Sequence, residues 1–143
     1  MTNAEVALAV IHAVEERDSE TLLALHHDDV ELHDAASLPY GGTLVGKAAI
    51  AEQIQRAPSE TWLGTWGPLQ PTEAERRMDA RVVAEHGDEV VVLYRQRAVG
   101  SDGERFDYPV IGLYEIRDEK LFRAQMFHYD TAASAEFVGR AAV

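Results

Sequence analysis

The sequence predicts an α+β protein. Its first third carries apolar residues at helical spacing, and its last half alternates apolar and polar residues between short turn signals. Helices that precede a run of hairpin-connected strands indicate α+β and not a parallel α/β sheet. A chain of 143 residues is long enough for one sizeable core, so we expect residues 1–143 to form a single domain.

Three helices are expected before the middle of the chain. The first lies in NAEVALAVIHAVEERD, with Asn3 as a candidate cap, and the second lies in DSETLLALHHDD, with Asp18 or Ser19 as its cap. A third runs from about Lys47 to Ala57, where Pro58 stops it.

Strands are expected on both sides of an irregular segment. In VELHD, alternation puts Val30, Leu32 and Asp34 on one face, and a loop rich in proline and glycine follows. The turn signals HGDE, SDGE and RDEK divide residues 78–130 into four strands of an antiparallel meander. The segment PSETWLGTWGPLQPTEAE between them predicts a partial strand or a loop over a cavity mouth.

Composition restricts the function. The net charge of −12 argues against nucleic-acid partners and disfavours anionic membrane surfaces. There is no cysteine, no apolar run approaches the ~20 residues of a membrane helix, and the first residues lack the basic flank of a secretory signal. We expect a cytoplasmic protein that binds a neutral or apolar small molecule or a protein partner.

The order of elements, the segment HHDDVELHDAASLPYGGTLVGKAAIAEQI and the strand end FHYDTAA resemble the nuclear transport factor two-like superfamily. Within it, the chain is most similar to SnoaL-like polyketide cyclases and ketosteroid isomerase over nearly its whole length. The resemblance implies a curved antiparallel sheet wrapped by N-terminal helices into a cone, a cystatin-like α+β barrel. It also implies an apolar pocket and no cofactor, but it does not specify the chemistry.

The resemblance to ketosteroid isomerase places a proton-abstracting base at Asp34. A carboxylate on an apolar face loses hydration, which is one way proteins tune such a group for proton transfer. The two oxyanion donors of that enzyme fall near Val10 and Gly112, which cannot donate from a side chain, although both are expected to line the pocket. Losing one such donor costs roughly 2.7–4 kcal/mol, so steroid isomerisation by the same residues is not expected. Asp34 could alternatively cap the turn that follows it.

A second acid lies at the end of the last strand. In SnoaL-like cyclases an aspartate at this position is the general acid/base of an intramolecular aldol closure, and the matching residue is Asp130. Alternation puts Met126, His128 and Asp130 on one face, where His128 could couple with Asp130 and Met126 could contact substrate. The alternatives are that Asp130 caps a helix in TAASAEFV and that His128 is a core histidine.

Three aromatic residues complete the set of candidate substrate contacts. Tyr40 could donate to a bound oxygen or pack its loop, and Trp62 and Trp66 could stack on a ligand or fill the core or an interface. His26 and His27 look like metal ligands, but neighbours at a helix end point apart and no third ligand is suitably spaced. No metal site is expected.

The outer face of the sheet suggests an oligomer. Ile111 and Leu113 alternate with Val110, Gly112 and Tyr114, so this strand is apolar on both faces. If one face lines the cone, a second subunit should cover the other, which predicts a homodimer. Limonene epoxide hydrolase, another relative, needs an Arg–Asp relay. Arg95 and Arg97 lack the expected partner acid and should instead pair with carboxylates on an exposed or subunit-facing surface.

The leading hypothesis is a small, cofactor-independent enzyme of the isomerase, cyclase or lyase type. Asp34 or Asp130 would move a proton next to the carbonyl of a hydrophobic small molecule, such as a polyketide or another natural-product intermediate, while His128 and Tyr40 orient or stabilise it. The alternatives are a non-catalytic binding or assembly domain and, ranked lower, an epoxide hydrolase.

Overall fold

The computed structural model describes residues 1–141, which form six helices and six strands. The helices are α1 (Asn3–Glu15), α2 (Ser19–Ala24), α3 (Lys47–Arg56), α4 (Trp62–Trp66), α5 (Glu73–Arg76) and α6 (Thr131–Ala141). The strands are β1 (His26–Asp34), β2 (Gly42–Val45), β3 (Arg81–His86), β4 (Glu89–Val99), β5 (Arg105–Arg117) and β6 (Lys120–His128). Within the described residues, none of these helices combines the length and apolar character needed to cross a membrane.

The helix boundaries follow local capping chemistry. Of the two candidate caps of α2, Asp18 is the one found, because its carboxylate accepts the backbone N–H of Thr21 at 3.1 Å, and Ser19 is already helical. The expected cap of α1 was wrong by one residue: the hydroxyl of Thr2 accepts the N–H of Glu5 at 3.1 Å, and Asn3 is already helical. Helix α3 occupies the expected span.

The six strands form one sheet in the order β2-β1-β6-β5-β4-β3. The predicted meander is confirmed as β3 to β6, whose successive pairs are antiparallel. The expectation of a wholly antiparallel sheet was wrong at one position, because β1 and β6 are parallel neighbours. Strand β2 was not predicted, since its four residues follow the glycines that indicated a loop.

The segment between α3 and β3 consists largely of short helices and 3₁₀ turns, so neither expected alternative, a partial strand or an irregular loop, describes it. Residues Pro58–Glu60 and Gly67–Leu69 form 3₁₀ turns that begin at or next to a proline. Helix α4 is capped by Thr61, and α5 starts with a capping box between Thr72 and Glu75.

The sheet is curved, and α1 packs on its concave face. Register shifts between β1 and β6, β3 and β4, and β5 and β6 increase the local twist. The main core joins α1 to the inward residues of β4 and β5, and a second cluster joins Trp66, Phe106 and Phe137. The α+β class and the curved sheet are therefore confirmed. Because β2 and β3 end the sheet as edges, it does not close into a barrel.

Candidate active site

The end of β1 carries the first candidate, Asp34. Its position agrees with the predicted alternation: Val30 is fully buried, Leu32 packs against the main core, and Asp34 follows on the same face. Because β1 and β6 run parallel, their carboxyl ends meet at one edge of the sheet. This places His128, the last residue of β6, beside Asp34.

Asp34 and His128 form a buried hydrogen-bonded pair. The Nε2 atom of His128 lies 2.7 Å from Oδ1 of Asp34, and their side chains are 5% and 8% exposed, respectively. The backbone N–H of Ala35 also donates to Oδ1 at 2.7 Å. Nδ1 of His128 has no partner among the described residues, so a proton there would have no acceptor. The tautomer with its proton on Nε2 therefore fits the contacts.

Both hydrogen bonds to Asp34 use the same carboxylate oxygen. Oδ1 accepts from Ala35 and His128, whereas Oδ2 makes no hydrogen bond within residues 1–141. Fixing one oxygen and leaving the other unengaged orients the carboxylate while keeping one proton-accepting atom available. A general base requires such an arrangement, in which one carboxylate oxygen is held and the other is unengaged.

A cleft of about 270 Å³ opens beside this pair. Asp34 and His128 form part of its wall, together with other residues at the ends of β1 and β6. The full lining is His33, Asp34, Ala35, Gln125, Met126, Phe127, His128 and Thr131. Of the predicted substrate contacts, Met126 is in this wall. The volume is close to the lower end of typical small-molecule pockets, ~300 Å³.

Asp130 lies in the turn between β6 and α6. Its carboxylate accepts the backbone N–H of Ala133 at 2.9 Å, which is the helix-capping arrangement considered as the alternative from sequence. It is not among the residues lining the cleft. The predicted partner of His128 was therefore wrong: His128 bonds to Asp34, across neighbouring strands, and not to Asp130.

The negative charge of Asp34 acts on three tyrosines, of which Tyr94 and Tyr114 are buried and Tyr40 is half-buried. Burial, together with the negative charge of Asp34, raises the pKa of Tyr40 and Tyr114. The pKa of Tyr94 is raised well above its ordinary value by burial, by Tyr114 and by Asp34. Tyr94 and Tyr114 were not predicted as site residues, because inward tyrosines on apolar strands are ordinarily part of the core. Their proximity to Asp34 becomes evident only when the strands are assembled.

The other predicted substrate contacts lie outside the cleft wall. Tyr40 accepts a hydrogen bond from Nε1 of the fully buried Trp66 at 2.9 Å, and Trp62 donates to Gln96 at 3.2 Å. Val10 is part of the main core. Gly112 faces the same core: a Cβ added to it would lie 2.7 Å from Cε1 of Tyr114. The ring of Tyr114 therefore occupies the space in front of Gly112.

The two strand arginines have acid partners after all. Arg95 bonds to Asp107 at 2.8 Å, and Arg97 pairs with Asp79 at 2.8 Å and with Asp107 at 3.4 Å. The expectation that Arg95 and Arg97 lack a partner acid on a neighbouring strand was therefore wrong. Their expected pairing with surface carboxylates is confirmed. Because none of these four residues lines the Asp34 cleft, the pairs do not form a relay in that site.

The adjacent histidines belong to a strand, not to a helix end. His26 is buried in β1 with Nδ1 2.6 Å from the carbonyl oxygen of Leu22, and His27 packs edge-on against Phe122. Within residues 1–141, no three His, Asp or Glu side chains form a group suited to holding a metal ion.

Comparisons with known proteins agree with this architecture. The structure of TerC co-crystallised with polyporic acid superimposes with a TM-score of 0.74 at 27% identity, covering 96% of this chain and 98% of TerC. A candidate polyketide cyclase from Xanthomonas campestris pv. campestris gives 0.66 at 20% identity, covering 96% and 99% of the two chains. An NTF2-like protein of unknown function from Burkholderia pseudomallei gives 0.68 at 19% identity, covering 96% and 98%.

At this low identity the latter two likenesses establish the fold alone. No curated protein matches the sequence significantly. The family described as the SnoaL-like domain matches residues 7–124, which span most of the chain. The chain therefore belongs to the SnoaL-like family.

Proposed function

We propose that this protein is a small-molecule enzyme in which Asp34 moves a proton at a carbon next to a carbonyl group. The observation that carries the proposal is the buried 2.7 Å contact between Asp34 and His128 at the wall of a cleft. The cleft is small and partly apolar, and the net charge of −12 disfavours highly anionic ligands. A hydrophobic, carbonyl-bearing molecule fits this combination.

The chemistry assigns different tasks to the two residues. Oδ2 of Asp34 takes the α-proton as the C–H electron pair moves into an enolate, and the same oxygen returns the proton to another carbon or to the enolate oxygen. His128 and the N–H of Ala35 hold Oδ1, so they orient the carboxylate without touching the substrate. In ring closure the enolate carbon attacks a second carbonyl carbon of the same molecule, and the alkoxide formed there takes the proton from Asp34. In isomerisation the proton returns to another carbon.

Two comparisons support the substrate class. TerC, at 27% identity, was crystallised with polyporic acid, a small molecule. The second comparison is the match of residues 7–124 to the SnoaL-like family, whose polyketide cyclases the sequence already resembled. We infer a cyclic natural-product intermediate as the substrate. Asp130 has no catalytic part in this proposal, because its cap on α6 accounts for its carboxylate.

The experiment that tests this function is α-carbon deuterium exchange. The protein is incubated in D2O with a panel of hydrophobic cyclic ketones and 1,3-diketones, and mass spectrometry follows label uptake. Accelerated uptake for at least one compound, reduced to the uncatalysed rate by Asp34→Asn, is the expected result. Exchange that is equally fast with Asp34→Asn would contradict the mechanism.

The size of the cleft favours one alternative, a non-catalytic binding domain. At about 270 Å³ the cleft lies just below the usual pocket range of ~300–1,000 Å³. Saturable binding of a panel member without any exchange would support this reading. A cytoplasmic location stays a prediction from the sequence.

We further propose a homodimer formed through the outer face of the sheet. Leu93, Ile111 and Phe127 are directly opposite one another on β4, β5 and β6, and Phe127 is 49% exposed. A neighbouring row continues the apolar surface with Val91 and Leu113. Light scattering at micromolar concentration should report twice the chain mass, and Ile111→Lys should halve it. A monomeric wild type would contradict the proposal.

A further inference from the structure

The proposed reaction needs hydrogen-bond donors for the enolate oxygen, and Val10 and Gly112 cannot supply them from side chains. The sheet register brings two phenol hydroxyls toward the site instead. Tyr94 is paired with Val110, which is paired with His128, so these three residues form one row across β4, β5 and β6. With strands ~4.8 Å apart, the backbones of Tyr94 and His128 are separated by about 10 Å on the concave face.

Gly112 leaves the space into which the second phenol ring, that of Tyr114, extends. In the adjacent row, Gly112 is opposite Met126, and His33 is paired with Gln125, so Asp34 lies level with Met126. The ring of Tyr114 leans over Gly112, where a Cβ would approach its Cε1 to 2.7 Å and its Cζ to 3.2 Å. Without a side chain at Gly112, the Tyr114 ring can leave its own row and extend toward Met126 and Asp34.

Neither phenol is engaged by the protein. Within residues 1–141, Tyr94 and Tyr114 make no side-chain hydrogen bond, whereas the hydroxyl oxygen of the nearby Tyr40 accepts one from Nε1 of Trp66. Both side chains are buried, and the charge of Asp34 helps to raise the pKa of each, so both stay protonated and able to donate at neutral pH.

Resting on the proposed function, we propose that Tyr94 and Tyr114 donate the two hydrogen bonds that hold the substrate oxygen as it becomes negatively charged. Met126 lines the cleft and packs beside the space in front of Gly112, and a thioether side chain readily changes rotamer. Neither tyrosine lines the cleft wall, so in this proposal a ligand must displace Met126 to reach the two hydroxyls while its α-carbon stays beside Asp34. The site is thus completed by ligand entry.

The test uses 4-nitrophenol as an oxyanion probe, because its absorbance reports ionisation directly. Measurements are made in the Asp34→Asn background, whose neutral amide imitates Asp34 after it has taken a proton. Tyr94→Phe and Tyr114→Phe should each weaken binding of the phenolate about tenfold or more, the effect of losing one hydrogen bond to a charged group. Tyr129→Phe is the matched control, since Tyr129 is 76% exposed.

A neutral probe separates donor loss from damage to the site. 4-Nitroanisole has the same ring but no ionisable oxygen, so its affinity should be unchanged in both tyrosine variants. Phenolate binding within about twofold of the parent in either variant would overturn the pair as proposed, and so would failure of the Asp34→Asn protein to bind the phenolate. If the predicted binding pattern appears while no ketone undergoes exchange, the donor assignment stands and the proposed reaction fails.

Discussion

The hydrogen bond between Asp34 and His128 should have a measurable coupling energy. The perturbations are Asp34→Asn, which removes the charge and keeps the shape, and His128→Phe, which keeps a ring and removes the donor. The atoms are 2.7 Å apart and both side chains are nearly buried, so the bond is charge-assisted and poorly screened. Hydrogen bonds to charged groups contribute roughly 1.5–3 kcal/mol, and we expect a coupling free energy in that range.

The assay is a double-mutant cycle measured by urea unfolding at pH 7. The matched control is the cycle for Arg95 and Asp107, which also meet at 2.8 Å but are 37% and 48% exposed. Exposed pairs couple by ~0.2–1 kcal/mol, so the control should fall in that range. A coupling below about 0.5 kcal/mol for Asp34 and His128 is indistinguishable from additivity and would refute the buried pair.

Three further predictions concern single residues. Asp130→Asn should preserve stability, because asparagine caps as well as aspartate, whereas Asp130→Ala should lower the unfolding free energy by roughly 0.5–2 kcal/mol; equal stabilities would contradict the cap. Burial, with a contribution from Lys47, lowers the pKa of His26, so the unfolded chain binds a proton first and stability should fall as pH drops below about 6.5. Urea unfolding at pH 7.5 and 5.5 should show a smaller loss in His26→Gln, and an identical loss would contradict this origin. Gly112→Ala should destabilise the fold by roughly 1–3 kcal/mol, because the added Cβ would lie 2.7 Å from Cε1 of Tyr114 and 3.0 Å from Cγ2 of Val92. An unchanged free energy of urea unfolding would argue against this close packing.

Local patterns predicted the elements that depend on local chemistry. The period-two alternation of VELHD placed Asp34 inward because Val30 and Leu32 must be buried, and Asp18 was one of two caps considered for α2. Strand β2 was missed because strand pairing with β1, not its own composition, extends those four residues. The helices after Pro58 were missed for a related reason: each is only one turn long, too short to show a helical period.

The site depends on contacts that the sequence does not encode locally. Asp34 and His128 are 94 residues apart, and they meet only because β1 inserts next to β6 in parallel orientation. Without that pairing, Asp130 was the nearer partner along the chain. Tyr94 and Tyr114 could not be separated from core residues by pattern, since the space that Gly112 leaves for a ring is a property of the assembled sheet.

The assignment of Asp34 as the base is tested most directly by comparing deuterium exchange in three proteins under identical conditions. Wild type, Asp34→Asn and Asp130→Asn are each incubated in D2O with the most responsive ketone, and initial rates are read by mass spectrometry. General-base catalysis contributes about 10²–10⁴-fold, so Asp34→Asn should lose at least a hundredfold in rate while Asp130→Asn stays within about twofold of wild type. A wild-type rate in Asp34→Asn, or a loss confined to Asp130→Asn, would contradict the assignment of Asp34 as the base.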